Sequence, residues 1–150
     1  MERIASFQVD HNKIGVGMYV SRVDGDITTF DIRLVRPNCG EYPTYAAMHT
    51  IEHLFATYAR NSKYADSIIY VGPMGCRTGF YLLTRDLDYG GAITLVHDSF
   101  EFILGYDGDI PGVSARECGN YLEHDLEQAK HFVTKVTKVL QNYTPSMLSY

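Results

Sequence analysis

The chain has 150 residues, 45% of them hydrophobic and 21% charged, with a formal charge of −5. That length suffices for a single domain, 1–150, burying roughly two-thirds of the surface its unfolded form exposes, and nothing in the composition marks disorder, low complexity or a repeat. No Lys/Arg cluster offers a footprint for nucleic acid or an anionic membrane, and no stretch approaches the roughly 20 apolar residues that span a bilayer. The first ten residues carry Glu2, Arg3 and Asp10 and lack the apolar centre of a signal peptide, so a cytoplasmic location and a small-molecule or protein partner are expected. Three cysteines, Cys39, Cys76 and Cys118, are odd in number and far apart. They suit metal binding or thiol chemistry better than a disulfide framework.

Gly15 to Val23 and Ile27 to Arg36 are rich in β-branched and aromatic residues, and Asp24-Gly25-Asp26 between them predicts a hairpin. Pro37 to Pro43 reads as a loop, and Thr44 can cap a helix running to about Ser62 with Met48, Ile51, Phe55 and Tyr58 as its apolar stripe. Ser67 to Val71 and Phe80 to Thr84 are predicted strands, with the turn-rich Gly72-Pro73-Met74-Gly75 and Cys76 between them. Gly91 to Tyr106 has a helical period in Ile93, Val96, Phe100 and Ile103, and Asp107 to Gly112 breaks it. Tyr121 to about Tyr143 reads as the longest helix, its stripe running from Leu122 through Leu126, Ala129, Val133 and Val136 to Leu140, and the tail after Pro145 as frayed. Four strands and three helices predict an α+β fold: an antiparallel sheet of about four strands with helices packed on one face.

His49 and His53 are four apart on a predicted helix, so both imidazoles leave one face and can reach a single ion, with Glu52 beside them. His-x-x-Glu-His reverses the order of the common zinc-protease helix motif, and the plain alternative is two surface histidines. A catalytic ion takes a third protein ligand, for which Cys118, His124 and several carboxylates are available downstream. Cys118 is preferred because it lies in a Gly/Asn bend just before a helix, where the helix N-terminus favours a thiolate; the alternative is a small buried apolar residue. His124 and His131 read as ordinary helix-face residues, and His97 as a packing residue. Cys76 stands between Gly72-Pro73-Met74-Gly75 and Arg77-Thr78-Gly79, where glycines let a ligand approach and Arg77 can favour a thiolate; a tight turn with an inert cysteine is the alternative. Cys39 has no partner in view.

Taken in order, Ser6 to His11, Phe30-Asp31-Ile32-Arg33, Met48-His49-Thr50-Ile51-Glu52-His53-Leu54, Pro73-Met74-Gly75-Cys76-Arg77-Thr78-Gly79-Phe80-Tyr81, Glu117-Cys118-Gly119 and His124-Asp125-Leu126-Glu127 resemble S-ribosylhomocysteine lyase, the LuxS family. The likeness runs from about Ser6 to Lys130. It implies a metal held by His49, His53 and Cys118, one per subunit, usually iron(II), with zinc or cobalt as substitutes. It also implies Glu52 and Cys76 as acid/base groups, Ser6, His11 and Arg33 as substrate contacts, and a homodimer with active sites at the subunit interface. The implied reaction moves the sugar carbonyl of S-ribosylhomocysteine down the chain and then breaks the thioether by β-elimination. Its products are homocysteine and 4,5-dihydroxy-2,3-pentanedione, the precursor of autoinducer-2, which ties the methyl cycle to quorum sensing.

Two features depart from the family pattern. Tyr70 stands where an Asp is usual, so the contact made there to the substrate amino group is altered, and the hairpin between His11 and Arg33 is shorter, which reshapes the pocket rim. A zinc metallopeptidase built on the same helix leaves Cys76 and Arg33 unexplained. A noncatalytic metal-binding domain would close the site with four protein ligands.

Overall fold

The computed structural model describes residues 2, 4 and 7–150. Strands β1 (Gly17–Asp24) and β2 (Ile27–Arg33) turn about Gly25, whose φ of 62° a glycine adopts without steric cost. Strands β3 (Ile68–Pro73) and β4 (Gly79–Arg85) form a second hairpin, and the sheet order is β1-β2-β4-β3, antiparallel throughout. Register sorts the side chains onto two faces. Met18, Ile32 and Phe80 oppose one another on one face, followed by Val20, Phe30 and Leu82. All but Val20 are fully buried there, in one cluster with Ile51, Leu54 and Phe55, with Phe100 and Ile103, and with Val133 and Val136. Those residues belong to helices α1 (Tyr45–Asn61), α2 (Tyr89–Gly105) and α3 (Leu126–Leu140), so the expected α+β arrangement is the observed one. The opposite face presents Tyr19, Asp31 and Tyr81 in register, and Arg33 lies between Gly17 and Gly79, where no cross-strand side chain competes for its space.

Each α-helix starts on a side chain that accepts a hydrogen bond from a free backbone N–H: Thr44 from Ala47, Asp88 from Gly91, and Asp125 from Gln128. The last of these caps shifts an expected boundary. α3 begins at Leu126 instead of Tyr121 and, with 15 residues, is shorter than the 17-residue α1 and α2, while Leu122, expected on its stripe, is 80% exposed. β2 ends at Arg33 because Leu34 and Val35 both donate to the one carbonyl of Thr78, at 2.9 and 3.3 Å, which breaks ladder alternation. The segment after Pro145 is not frayed. Leu148 is buried in the core cluster and its carbonyl accepts from Val20 N–H at 2.7 Å, occupying part of the open edge of β1.

Gly79 sets how closely β4 approaches β2. A Cβ there would lie 1.8 Å from the Ile32 carbonyl oxygen and 2.8 Å from its carbon, both backbone atoms that cannot rotate away. Gly79→Ala is therefore expected to destabilise by about 3 kcal/mol and lower Tm by roughly 10 °C in thermal unfolding followed by circular dichroism.

Candidate metal centre and thiol site

One turn of α1 separates His49 from His53, and their rings stand 4.5 Å apart at 90°. Cys118 arrives on a turn in which its N–H donates to Ser114 O at 3.0 Å, bringing Sγ to 3.3 Å from His49 Nε2. His49 Nδ1 lies 2.9 Å from Glu123 O, and His53 Nδ1 lies 2.6 Å from Pro111 O. A carbonyl oxygen only accepts, so each Nδ1 carries the proton and each Nε2 is left with a free lone pair, the tautomer a metal-ligating histidine needs. The helix N-terminus expected to favour the Cys118 thiolate is absent, since α3 starts at Leu126; instead Asn120 N–H donates to Sγ at 3.4 Å.

His124 joins this group, contrary to its reading as a helix-face residue. One ligating atom from each of His49, His53, Cys118 and His124 lies within 4.8 Å of the others. Its Nδ1 is 3.1 Å from Thr50 Oγ1, which donates its only proton to Ala46 O and accepts from Asp125 N–H, so Nδ1 must be the donor. Burial, with His49 and His53 alongside, pushes the His124 imidazole down to about 4, keeping it neutral. It stacks on His49 at 4.1 Å with the planes 22° apart. Rings so nearly parallel cannot both aim in-plane lone pairs at one ion, whereas the perpendicular His49/His53 pair can. Two imidazoles and a thiol fit a borderline ion of the zinc or iron(II) type better than magnesium or calcium. No carboxylate belongs to the group among the described residues, which removes the ligand a peptidase of this helix type would use.

Cys76 occupies the hairpin loop between β3 and β4, inside a turn closed by Arg77 N–H donating to Met74 O at 2.9 Å, with Arg77 at a φ of 60°. This backbone sends Arg77 away from the thiol: it donates to Pro43 O at 3.3 Å and covers the Tyr45 ring at 4.9 Å. The cation beside Cys76 is Arg33 instead. Arg33 is buried against Asp31, with Nε 2.6 Å from Oδ1 and a hydrogen bond from its second terminal nitrogen to Oδ2 at 2.7 Å; the first donates to Thr78 Oγ1 at 2.5 Å. The Nε contact is off-line and acts as an ion pair, not a hydrogen bond. Thr78 Oγ1 is 3.1 Å from Cys76 Sγ, and having accepted from Arg33 it can turn its proton to the sulfur. Partial burial pushes the Cys76 thiol up, but the Thr78 hydroxyl and N–H and the Arg33 charge outweigh it and hold the thiol below its ordinary value.

Cys76, Arg33 and His11 line one cavity of about 670 Å³, together with Thr78, Tyr42 and Tyr81. Glu52 opens with His49 onto another of about 340 Å³, and the two share only Pro73, Met74 and Gly75. Ser6 lies outside the described residues. The S-ribosylhomocysteinase (LuxS) family profile matches residues 4–146. The chain is similar to proteins named S-ribosylhomocysteine lyase from Clostridium beijerinckii (48% identical), Desulfotalea psychrophila (49%) and Phocaeicola vulgatus (45%), covering 100% of this chain and 98–99% of each relative. The chain belongs to the S-ribosylhomocysteinase (LuxS) family.

Two side chains of these clusters, Thr78 and His124, are not legible from single residues. Thr78 carries no chemical signal beyond its place in the Gly-Cys-Arg-Thr-Gly run, and a helix expected from Tyr121 makes His124 a helix-face residue, whereas α3 starts at Leu126 and leaves His124 ahead of it. Tyr70, at the departure from the family pattern, lines neither cavity; its ring occupies the space a side chain at Gly72 would fill, within 2.4 Å of a Cβ built there. Thr78→Val removes the hydroxyl donor and leaves the desolvation of the Cys76 thiol less opposed, so the thiol becomes harder to ionise. The midpoint of iodoacetamide alkylation on the Cys76 peptide, followed by mass spectrometry against pH, is expected to move to higher pH, whereas Thr78→Ser retains the wild-type midpoint.

Proposed function

We propose that this chain is a metal-dependent lyase that cleaves the thioether of S-ribosylhomocysteine, releasing homocysteine and 4,5-dihydroxy-2,3-pentanedione. The observation that carries this reading is the convergence of His49, His53 and Cys118 in a member of the LuxS family. Those three residues hold the ion, with His124 stacked behind His49. Iron(II) is the native metal, and zinc or cobalt substitutes for it, in keeping with a thiolate and two imidazoles.

When bound, the divalent ion supplies Lewis-acid stabilisation of the negative charge that develops on the sugar oxygens during proton removal. Cys76, acting as a thiolate whose ionisation Thr78 and Arg33 favour, takes the proton from the carbon beside the sugar carbonyl and returns it to the neighbouring carbon, so the carbonyl migrates without net change in protons. Repetition brings the ketone to the position from which loss of one further proton expels the sulfur. Glu52 moves the protons that Cys76 does not reach and protonates the leaving homocysteine thiolate. No hydrogen bond or ion pair holds its carboxylate among the described residues. Arg33 and His11 bind the substrate beside Cys76, and Ser6 is a further substrate contact.

Glu52 and Cys76 open onto different cavities, which supports a homodimer whose active sites combine elements of two copies. No helix among the described residues is long and apolar enough to cross a membrane. The enzyme acts on its small-molecule substrate in the cytoplasm. There the second product supplies the autoinducer-2 signal.

Metal-loaded protein is expected to release free thiol from S-ribosylhomocysteine, detected with a disulfide reagent. Cys76→Ala and Glu52→Gln should each lower the rate at least ~10²-fold with metal content unchanged, and Cys118→Ala should lose the metal. Absence of thiol release by the intact, loaded protein would sink the assignment.

A further inference from the structure

The reading of Cys76 as the proton-shuttling thiolate leaves one connected feature unused. Behind the Cys76 cavity, on the sheet face away from the helices, the C-terminal segment returns to the Asp31–Arg33 pair. Tyr150 lays its ring on Tyr19, with centroids 5.0 Å apart and planes within 6°, and its hydroxyl donates to Asp31 Oδ2 at 2.7 Å. Asp31 is 2% exposed and Arg33 3%. The same Oδ2 accepts from Arg33, which donates onward to Thr78, which touches Cys76 Sγ. An unbroken chain of polar contacts therefore runs from Tyr150 through Asp31, Arg33 and Thr78 to the thiol.

We propose that Tyr150 is a positioning residue for Cys76, acting through the buried Asp31–Arg33 pair and Thr78. The proposal rests on the lyase reading only for the task it gives Cys76. Asp31 and the Cys76 sulfur compete for the Arg33 guanidinium. Asp31 draws the Arg33 guanidinium toward itself, and so away from the sulfur whose negative charge Arg33 favours. The Tyr150 O–H turns the positive end of its dipole to that carboxylate and absorbs part of its pull, and its ring keeps water from screening the pair. Burial and the adjacent Asp31 push the Tyr150 phenol well above its ordinary value, so it remains a donor at every pH at which the enzyme works. Neighbouring Tyr19 shares the stack but not the carboxylate, because its hydroxyl is engaged with Gly15 O and N–H at 3.3 and 3.2 Å.

The test uses the full metal-loaded chain with Tyr150→Phe, Tyr150→Ala and Tyr19→Phe. Each variant is assayed for pH-dependent iodoacetamide alkylation of the Cys76 peptide, for Tm and for thiol release from S-ribosylhomocysteine. Tyr150→Phe keeps the stack and loses only the donor, and is expected to move the alkylation midpoint upward and slow alkylation at neutral pH about twofold. Tyr150→Ala should do so more strongly, and Tyr19→Phe should leave the midpoint in place. An unmoved midpoint in both Tyr150 variants, or an equal shift in Tyr19→Phe, overturns the proposal. Alkylation reads the thiol without any turnover, so failure of the intact protein to release homocysteine would count against the lyase assignment and not against this coupling.

Discussion

A single buried hydroxyl, that of Thr50, ties the two halves of the candidate metal centre together. Lying between His49 and His53 on α1, it donates to Ala46 O and accepts from both Asp125 N–H and His124 Nδ1, so its hydrogen-bonding capacity is filled. Asp125 is also the residue that caps α3. The start of α3, the tautomer and position of His124, and the stretch from Cys118 to His124 are thereby referred to the same helical turn that carries the two imidazoles of His49 and His53. A metal site assembled from segments 69 residues apart needs such a tie, because ligand positions must hold to fractions of an ångström before an ion arrives.

The Asp31–Arg33 pair plays the corresponding part on the other face of the sheet. Burying two charges costs several kcal/mol per ion before their attraction is counted, and an apolar pair of similar size would pack at least as well. Its presence is better explained by what it does to its surroundings. It holds a guanidinium near the Cys76 thiol, with glycines on either side in the sheet register, and Thr78 carries the contact to the sulfur. Pro73, Met74 and Gly75 separate this polar face from the metal-side cavity, so the hairpin loop that bears Cys76 is also the wall between the two chemistries.

Much of the fold was legible in the residues because local rules and burial agree. Asp-Gly-Asp turned β1 into β2, Thr44 capped α1, and the stripes Met48/Ile51/Phe55 and Ile93/Val96/Phe100/Ile103 went into the core as their spacing required. The errors fell where a distant contact outweighs local propensity. Apolar Leu122 invited an early start to α3, which the Asp125 cap and Thr50 prevent, and the segment after Pro145, polar enough to read as frayed, is held by Leu148 against β1 and by Tyr150 against Asp31.

The sequence by itself determined the donor chemistry. Two imidazoles at helical spacing with an acid between them, and a set of motifs in LuxS order, depend only on residue identity and the pitch of a helix. Tertiary structure decided which cation serves Cys76. Arg77 is the sequence neighbour, but its left-handed backbone turns it toward Tyr45 and Pro43, while Arg33, 45 residues from Thr78 along the chain, is brought to the loop by pairing of β2 with β4. Electrostatic influence falls with distance in space and is indifferent to separation along the chain, so that assignment became visible only once the strands were in register.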